Sequence, residues 1–166
     1  MGIEDNLQAA FAGESQANRK YLAFAKKADD DGFPNIAKLF RAAAGAETVH
    51  AHAHLRVMKG VKGTEENLQE AIEGEGYEYK EMYPDFVKEA ESAGDKPAEI
   101  TFKNALAVEK IHHDMYTDAL ASFKAGSDLP DKQIWVCEVC GNTVYGGAPD
   151  TCPICNAPKA RFFEIN

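Results

Sequence analysis

From residue 3 to residue 125, apolar residues recur at intervals of three and four, the spacing of one face of an α-helix. Leu7, Phe11, Glu14, Asn18, Tyr21 and Ala25 share one stripe within residues 3–30, and Gly32 and Pro34 end it. A second stripe through Ile36, Phe40, Ala43, Glu47, His50 and His54 predicts a helix from Pro34 to Lys59. It opens with proline in its first turn and stops at Gly60 and Gly63. Thr64 can cap a third helix, with Leu68, Ile72, Glu75, Tyr79, Met82 and Phe86 on its stripe and Gly94 at its end. Pro84 removes a backbone donor inside that stretch and predicts a kink. A fourth helix, from Pro97 to Ala125, carries Phe102, Leu106, Glu109, His112 or His113, Tyr116, Leu120 and Phe123. Four long amphipathic helices predict a mainly α fold, a four-helix bundle over residues 1–126.

The periodicity then changes. Residues 127–132 form a short polar linker, and residues 133–166 alternate aromatic and β-branched residues with Gly, Pro and Cys, as short strands and tight turns do. This second module has too few apolar residues for a core of its own. A structural metal supplies the missing folding energy in such cases. All four cysteines of the chain lie here, as Cys137-x-x-Cys140 and Cys152-x-x-Cys155. That spacing places four thiolates tetrahedrally and suits zinc or iron equally on sulfur ligation alone. With zinc the module is a structural ribbon; with iron it carries single electrons.

The anomaly in the helices is that Glu14, Glu47, Glu75 and Glu109 stand on stripes that should face inward. Glutamate is seldom buried unless it is paired or bound to metal. Glu47-x-x-His50 and Glu109-x-x-His112 each put a carboxylate and an imidazole one turn apart, and Glu75 and Glu78 are also three apart. One Glu from each of two helices, with Glu-x-x-His from each of the other two, is the ligand pattern of di-iron or di-manganese carboxylate bundles. His113 fits the stripe about as well as His112, but His112 repeats the spacing of the second helix. His54 reads as an ordinary core histidine and His52 as a surface one. Tyr21 and Tyr83 are spaced to donate hydrogen bonds to the carboxylates, or simply to pack as aromatics.

The 166 residues carry 18 basic and 27 acidic side chains, a net charge of −9. Such a field repels nucleic acid and anionic membrane surfaces, and metals or small molecules are the favoured partners. No apolar run reaches the roughly 20 residues of a membrane span, and the opening MGIEDNLQ is acidic. Clustered cysteines without disulfide spacing elsewhere suit a reducing compartment, so a cytoplasmic location is expected.

AFAGESQANRKYLAFA at residues 10–25, the Glu47-x-x-His50 helix, GEGYEYKEMYPDF at residues 74–86, Glu109-x-x-His112 and the four-cysteine tail together resemble the rubrerythrins over nearly the whole chain. The resemblance implies a ferritin-like bundle followed by a rubredoxin-like module. It implies Glu14, Glu47, His50, Glu75, Glu78, Glu109 and His112 as di-iron ligands, and Cys137, Cys140, Cys152 and Cys155 on a single iron, a thiolate site that zinc can also fill in isolated protein. It places Tyr21 and Tyr83 beside the centre, and Glu78 and His50 as ligands that exchange when the iron changes charge. The implied activity is reduction of hydrogen peroxide to water, with rubredoxin or a reductase as electron donor. The competing readings are a ferritin-like ferroxidase and a bundle carrying a structural zinc ribbon.

Assembly follows from a loop length. The resemblance implies parallel second and third helices, yet helices of about 25 residues are roughly 37 Å long. Four extended residues from Gly60 to Gly63 span at most about 14 Å. The chain is therefore expected either as an up-down-up-down bundle or as a homodimer that exchanges helical halves, and the family arrangement favours the exchanged dimer.

Overall fold

The computed structural model describes residues 2–166, and its fold class is mainly α: long helices followed by a small three-stranded module. The chain divides into two compact units, up to Lys62 and from Gly63 onward.

The first unit is a pair of helices, α1 (Ile3–Asp30) and α2 (Pro34–Val57). The turn between them uses Gly32 at φ +82°, a left-handed conformation that glycine adopts without strain. Alanines make the contact: Ala25, Ala28, Ala37, Ala44 and Ala51 are all buried, and small side chains let the two backbones approach. Asn18 locks the register, its side-chain amide donating to the Ala44 carbonyl at 2.7 Å and to Thr48 Oγ1 at 2.8 Å. Nearer the turn, Arg41 bonds Asp29 at 2.6 Å.

The second unit contains α3 (Thr64–Tyr77), a five-residue π-helical segment (Glu78–Met82), α4 (Tyr83–Ala93) and α5 (Lys96–Lys124). The expected third helix is thus interrupted, and the interruption precedes Pro84 rather than falling on it. The Pro84 ring would clash with the carbonyl four residues back, that of Lys80. The wider turn, in which Tyr83 N–H bonds the Glu78 carbonyl, carries Lys80 within it. Gly94 at φ +69° closes α4, and Asp95 caps α5 by accepting from the Ala98 N–H at 3.1 Å. Lys103 of α5 ties that helix to α4 through Glu91 at 2.7 Å and also bonds Glu99 of its own helix at 2.7 Å.

In the same unit, β1 (Ile134–Cys137), β2 (Thr143–Tyr145) and β3 (Phe162–Ile165) form an antiparallel sheet in the order β2-β1-β3. Its core is Cys137, Ala148, Cys152, Ala157 and Phe162, packed against Trp135 and Ile154. The module rests on α5: a Cβ on Gly141 would lie 3.7 Å from Val108 Cγ1, and Val108 is buried. Among the described residues, no helix is long and apolar enough to cross a membrane.

Candidate metal centres

Each helical unit gathers one carboxylate–histidine cluster. In the first, Glu14 from α1 meets Glu47 and His50 from α2, with one ligating atom of each within 4.8 Å of the others. His50 Nδ1 lies 2.9 Å from Glu47 Oε2 and 3.9 Å from Glu14 Oε1. In the second, Glu75 from α3 meets Glu109 and His112 from α5 under the same limit. His112 Nδ1 lies 2.8 Å from Glu109 Oε2 and 3.9 Å from Glu75 Oε1. The two clusters therefore repeat one geometry: a lone Glu on one helix, and Glu-x-x-His on its neighbour.

The second cluster is short of positive charge. Burial, then a hydrogen bond to Glu109, then the charges of Glu109 and Glu78 push the Glu75 carboxyl up to about 7 from an ordinary 4.5. Glu78, the first residue of the π-helical segment, is also raised, by burial and then by Glu109, against a lowering by His112. The Tyr83 phenol is held above its usual range by burial and then by Glu78, Glu109 and Glu75. Carboxylates driven to keep protons are the donor set that a hard cation relieves, and the added imidazole suits iron or manganese.

Other residues singled out in the sequence fall elsewhere. His113 packs edge-on against Tyr79, centroids 5.1 Å apart, and a Cβ on Gly76 would stand 3.3 Å from its ring. Tyr21 joins an aromatic group, 6.3 Å from Phe24 and 6.2 Å from Phe40. Tyr83 also packs on Phe86 and Phe102, at 6.0 and 6.3 Å. His52 is exposed and His54 half-buried. Glu78 stands outside the three-residue cluster of Glu75, Glu109 and His112.

The four cysteines converge. Cys137 Sγ lies 3.7 Å from Cys155 Sγ, and Cys140 Sγ lies 3.6 Å from Cys152 Sγ. These separations are far beyond the roughly 2.05 Å of a disulfide. A tetrahedron of sulfurs about 2.3 Å from a central ion has edges of about 3.8 Å, so the thiols fit a metal. Burial pushes the Cys152 thiol up, but the N–H groups of Cys155 and Ile154 together with the Cys140 and Cys155 side chains outweigh it and bring it down to about 7. Cys140 and Cys155 are raised chiefly by burial.

Two residues beside these centres carry no signal in the sequence itself. Asn142, 1% exposed, donates its side-chain amide to Cys152 Sγ at 3.7 Å. Thr143 Oγ1 lies 2.9 Å from His112 Nε2, so the cysteine module touches a member of the helical cluster. Nothing in spacing or periodicity marks a contact between two modules. Glu75, His112, Thr143, Tyr145, Leu68 and Met115 also line a cavity of about 440 Å³.

The rubrerythrin family model matches residues 5–120, and the model of the family's rubredoxin-like domain matches residues 135–163. Rubrerythrin-2 of Clostridium acetobutylicum is 37% identical over 172 aligned positions, covering 95% of this chain and 94% of its own. Nigerythrin of Nitratidesulfovibrio vulgaris is 34% identical, over 95% of this chain and 84% of its own. A solved mixed-valence state of nigerythrin superposes with a TM-score of 0.57 at 33% identity, covering 99% of this chain and 87% of that one. With both modules matched in order and the metal-type clusters formed from the same segments, the chain belongs to the rubrerythrin family of iron-binding proteins, di-iron helices followed by a rubredoxin-like domain.

Proposed function

We propose that the chain is a non-haem di-iron peroxidase that reduces hydrogen peroxide to water, with electrons relayed through the four-cysteine iron site from rubredoxin or a reductase. The observation that carries this reading is that one compact unit holds both a carboxylate–histidine cluster and a tetrathiolate cluster, joined by the 2.9 Å contact between His112 and Thr143. Glu14, Glu47, His50, Glu75, Glu78, Glu109 and His112 would hold two irons, and Cys137, Cys140, Cys152 and Cys155 a third. Bound ferrous iron would supply the electrons, two to each peroxide.

The chain's own residues account for the rest. Each peroxide takes up two protons as its O–O bond breaks and leaves as two waters. Tyr83, and Glu78 while it is off the metal, are shifted toward their protonated forms and keep protons beside Glu75 and Glu109, which would hold the iron as bare carboxylates. The cavity against Glu75 and His112 admits a small substrate. Residues 1–126 would be the ferritin-like module, 127–132 the linker and 133–166 the rubredoxin-like module.

The partner is a second copy. Each unit holds one three-residue half of the ligand set, and only residues 58–63 join α2 to α3. Six residues span at most about 21 Å, against roughly 36 Å for a 24-residue helix. A homodimer that exchanges its helical halves brings Glu14, Glu47 and His50 of one chain to Glu75, Glu78, Glu109 and His112 of the other.

Replacing Cys152 with Ser tests the relay. The variant should reduce one charge of peroxide after chemical reduction, yet fail to turn over with a rubredoxin-linked donor. Sustained turnover at the parent rate would overturn the relay.

A further inference from the structure

Thr143 belongs to β2 of the cysteine module, but its hydroxyl is shared with a helical cluster. It donates to the Gly141 carbonyl at 3.1 Å and lies 2.9 Å from His112 Nε2. A hydroxyl has one proton. A metal held by Nδ1 would leave the imidazole hydrogen on Nε2, where Thr143, its own proton on the Gly141 carbonyl, is placed to accept it. Nδ1, whose lone pair such a metal would take, faces Glu109 and Glu75 at 2.8 and 3.9 Å. The contact is seated rather than incidental. Val108 and His112 are one turn apart on α5, and Gly141 and Thr143 meet them in the same order.

We propose that Thr143 is a positioning residue: its hydroxyl holds His112 in the Nε2–H tautomer, presents Nδ1 to the metal, and latches the cysteine module to α5. This rests on the metal-binding reading of Glu75, Glu109 and His112 given above. Outer partners of metal-bound histidines commonly fix tautomer and ring orientation. Here the partner comes from a different module, so seating that module prepares the ligand.

The test uses the full chain with its four-cysteine site filled, comparing Thr143→Val, which keeps shape and strand propensity, with Thr143→Ser, which keeps the hydroxyl. One readout is ferrous iron held by the helical sites against a competing chelator. Thr143→Val should weaken retention roughly 10–100-fold, the usual loss for such a partner, while Thr143→Ser stays near the parent. The other readout is nitrogen NMR of the zinc-loaded protein, where the Nε2-bound proton of His112 should exchange slowly in the parent and in Thr143→Ser but fast in Thr143→Val. Unchanged retention and unchanged exchange in Thr143→Val would overturn the proposal, as would equal losses in both variants. If the helical sites of the parent retained no iron, the metal reading itself would fail. The NMR comparison, repeated on the metal-free helical sites, would still decide the latch.

Discussion

Glu75 sits on the apolar stripe of its helix, where a carboxylate is anomalous, and the structure supplies the chemical consequence. Burial and its neighbours Glu109 and Glu78 raise its carboxyl to about 7, so in the metal-free protein it is largely protonated below neutrality. The folded value lies above the unfolded one near 4.5. The resulting stability is therefore complete below about pH 4.5 and is lost as pH rises through about 7. The thermal midpoint of metal-free protein should fall between about pH 5.5 and pH 8, and Glu75→Gln, which cannot ionise, should flatten that fall. Melting curves of the two proteins at both pH values are the check; a midpoint that rises equally in both would contradict the assignment. Metal binding must displace this proton, so filling the site should also erase the dependence. The misplaced carboxylates were legible in the sequence because burial of charge has few explanations. Thr143 and Asn142 were not, since their roles depend on which neighbours the turns after Cys140 bring within hydrogen-bonding distance.

Among the elements, the interrupted third helix matters most to the site. Gly and Pro punctuation made nearly all helix limits readable, with α2 ending at Val57 rather than Lys59 and α5 starting at Lys96 rather than Pro97. The π-helical turn was not readable: one wide turn leaves the apolar stripe intact, and only Pro84 hinted at a disturbance. That turn begins at Glu78 and leaves it outside the cluster of Glu75, Glu109 and His112. Carboxylates on such turns can shift without unravelling a regular helix, which suits a ligand that exchanges. Glu78→Ala should therefore slow peroxide reduction by roughly 100–10,000-fold, the loss typical of a proton-transfer group, while lowering iron content far less. Parallel loss of iron and rate in metal analysis and stopped-flow kinetics would make Glu78 a plain structural ligand.

At the scale of the whole molecule, the repeated cluster geometry and the short link between α2 and α3 support the proposed exchanged dimer. Refolding a Glu47→Ala chain with a Glu109→Ala chain should restore peroxidase activity in purified heterodimers, because exchange leaves one centre intact and puts both lesions in the other. No recovery in verified heterodimers would exclude exchange. The division of labour between the two modules is tested most directly by titrating the anaerobic, fully reduced protein with hydrogen peroxide while following the ferric-thiolate band and total ferrous iron. The helical irons should be reoxidised first and the thiolate band should follow, with peroxide consumed equal to half the ferrous iron present, as an electron relay requires. A thiolate band that stays bleached while the helical sites are oxidised, or peroxide consumption unrelated to the iron oxidised, would contradict it.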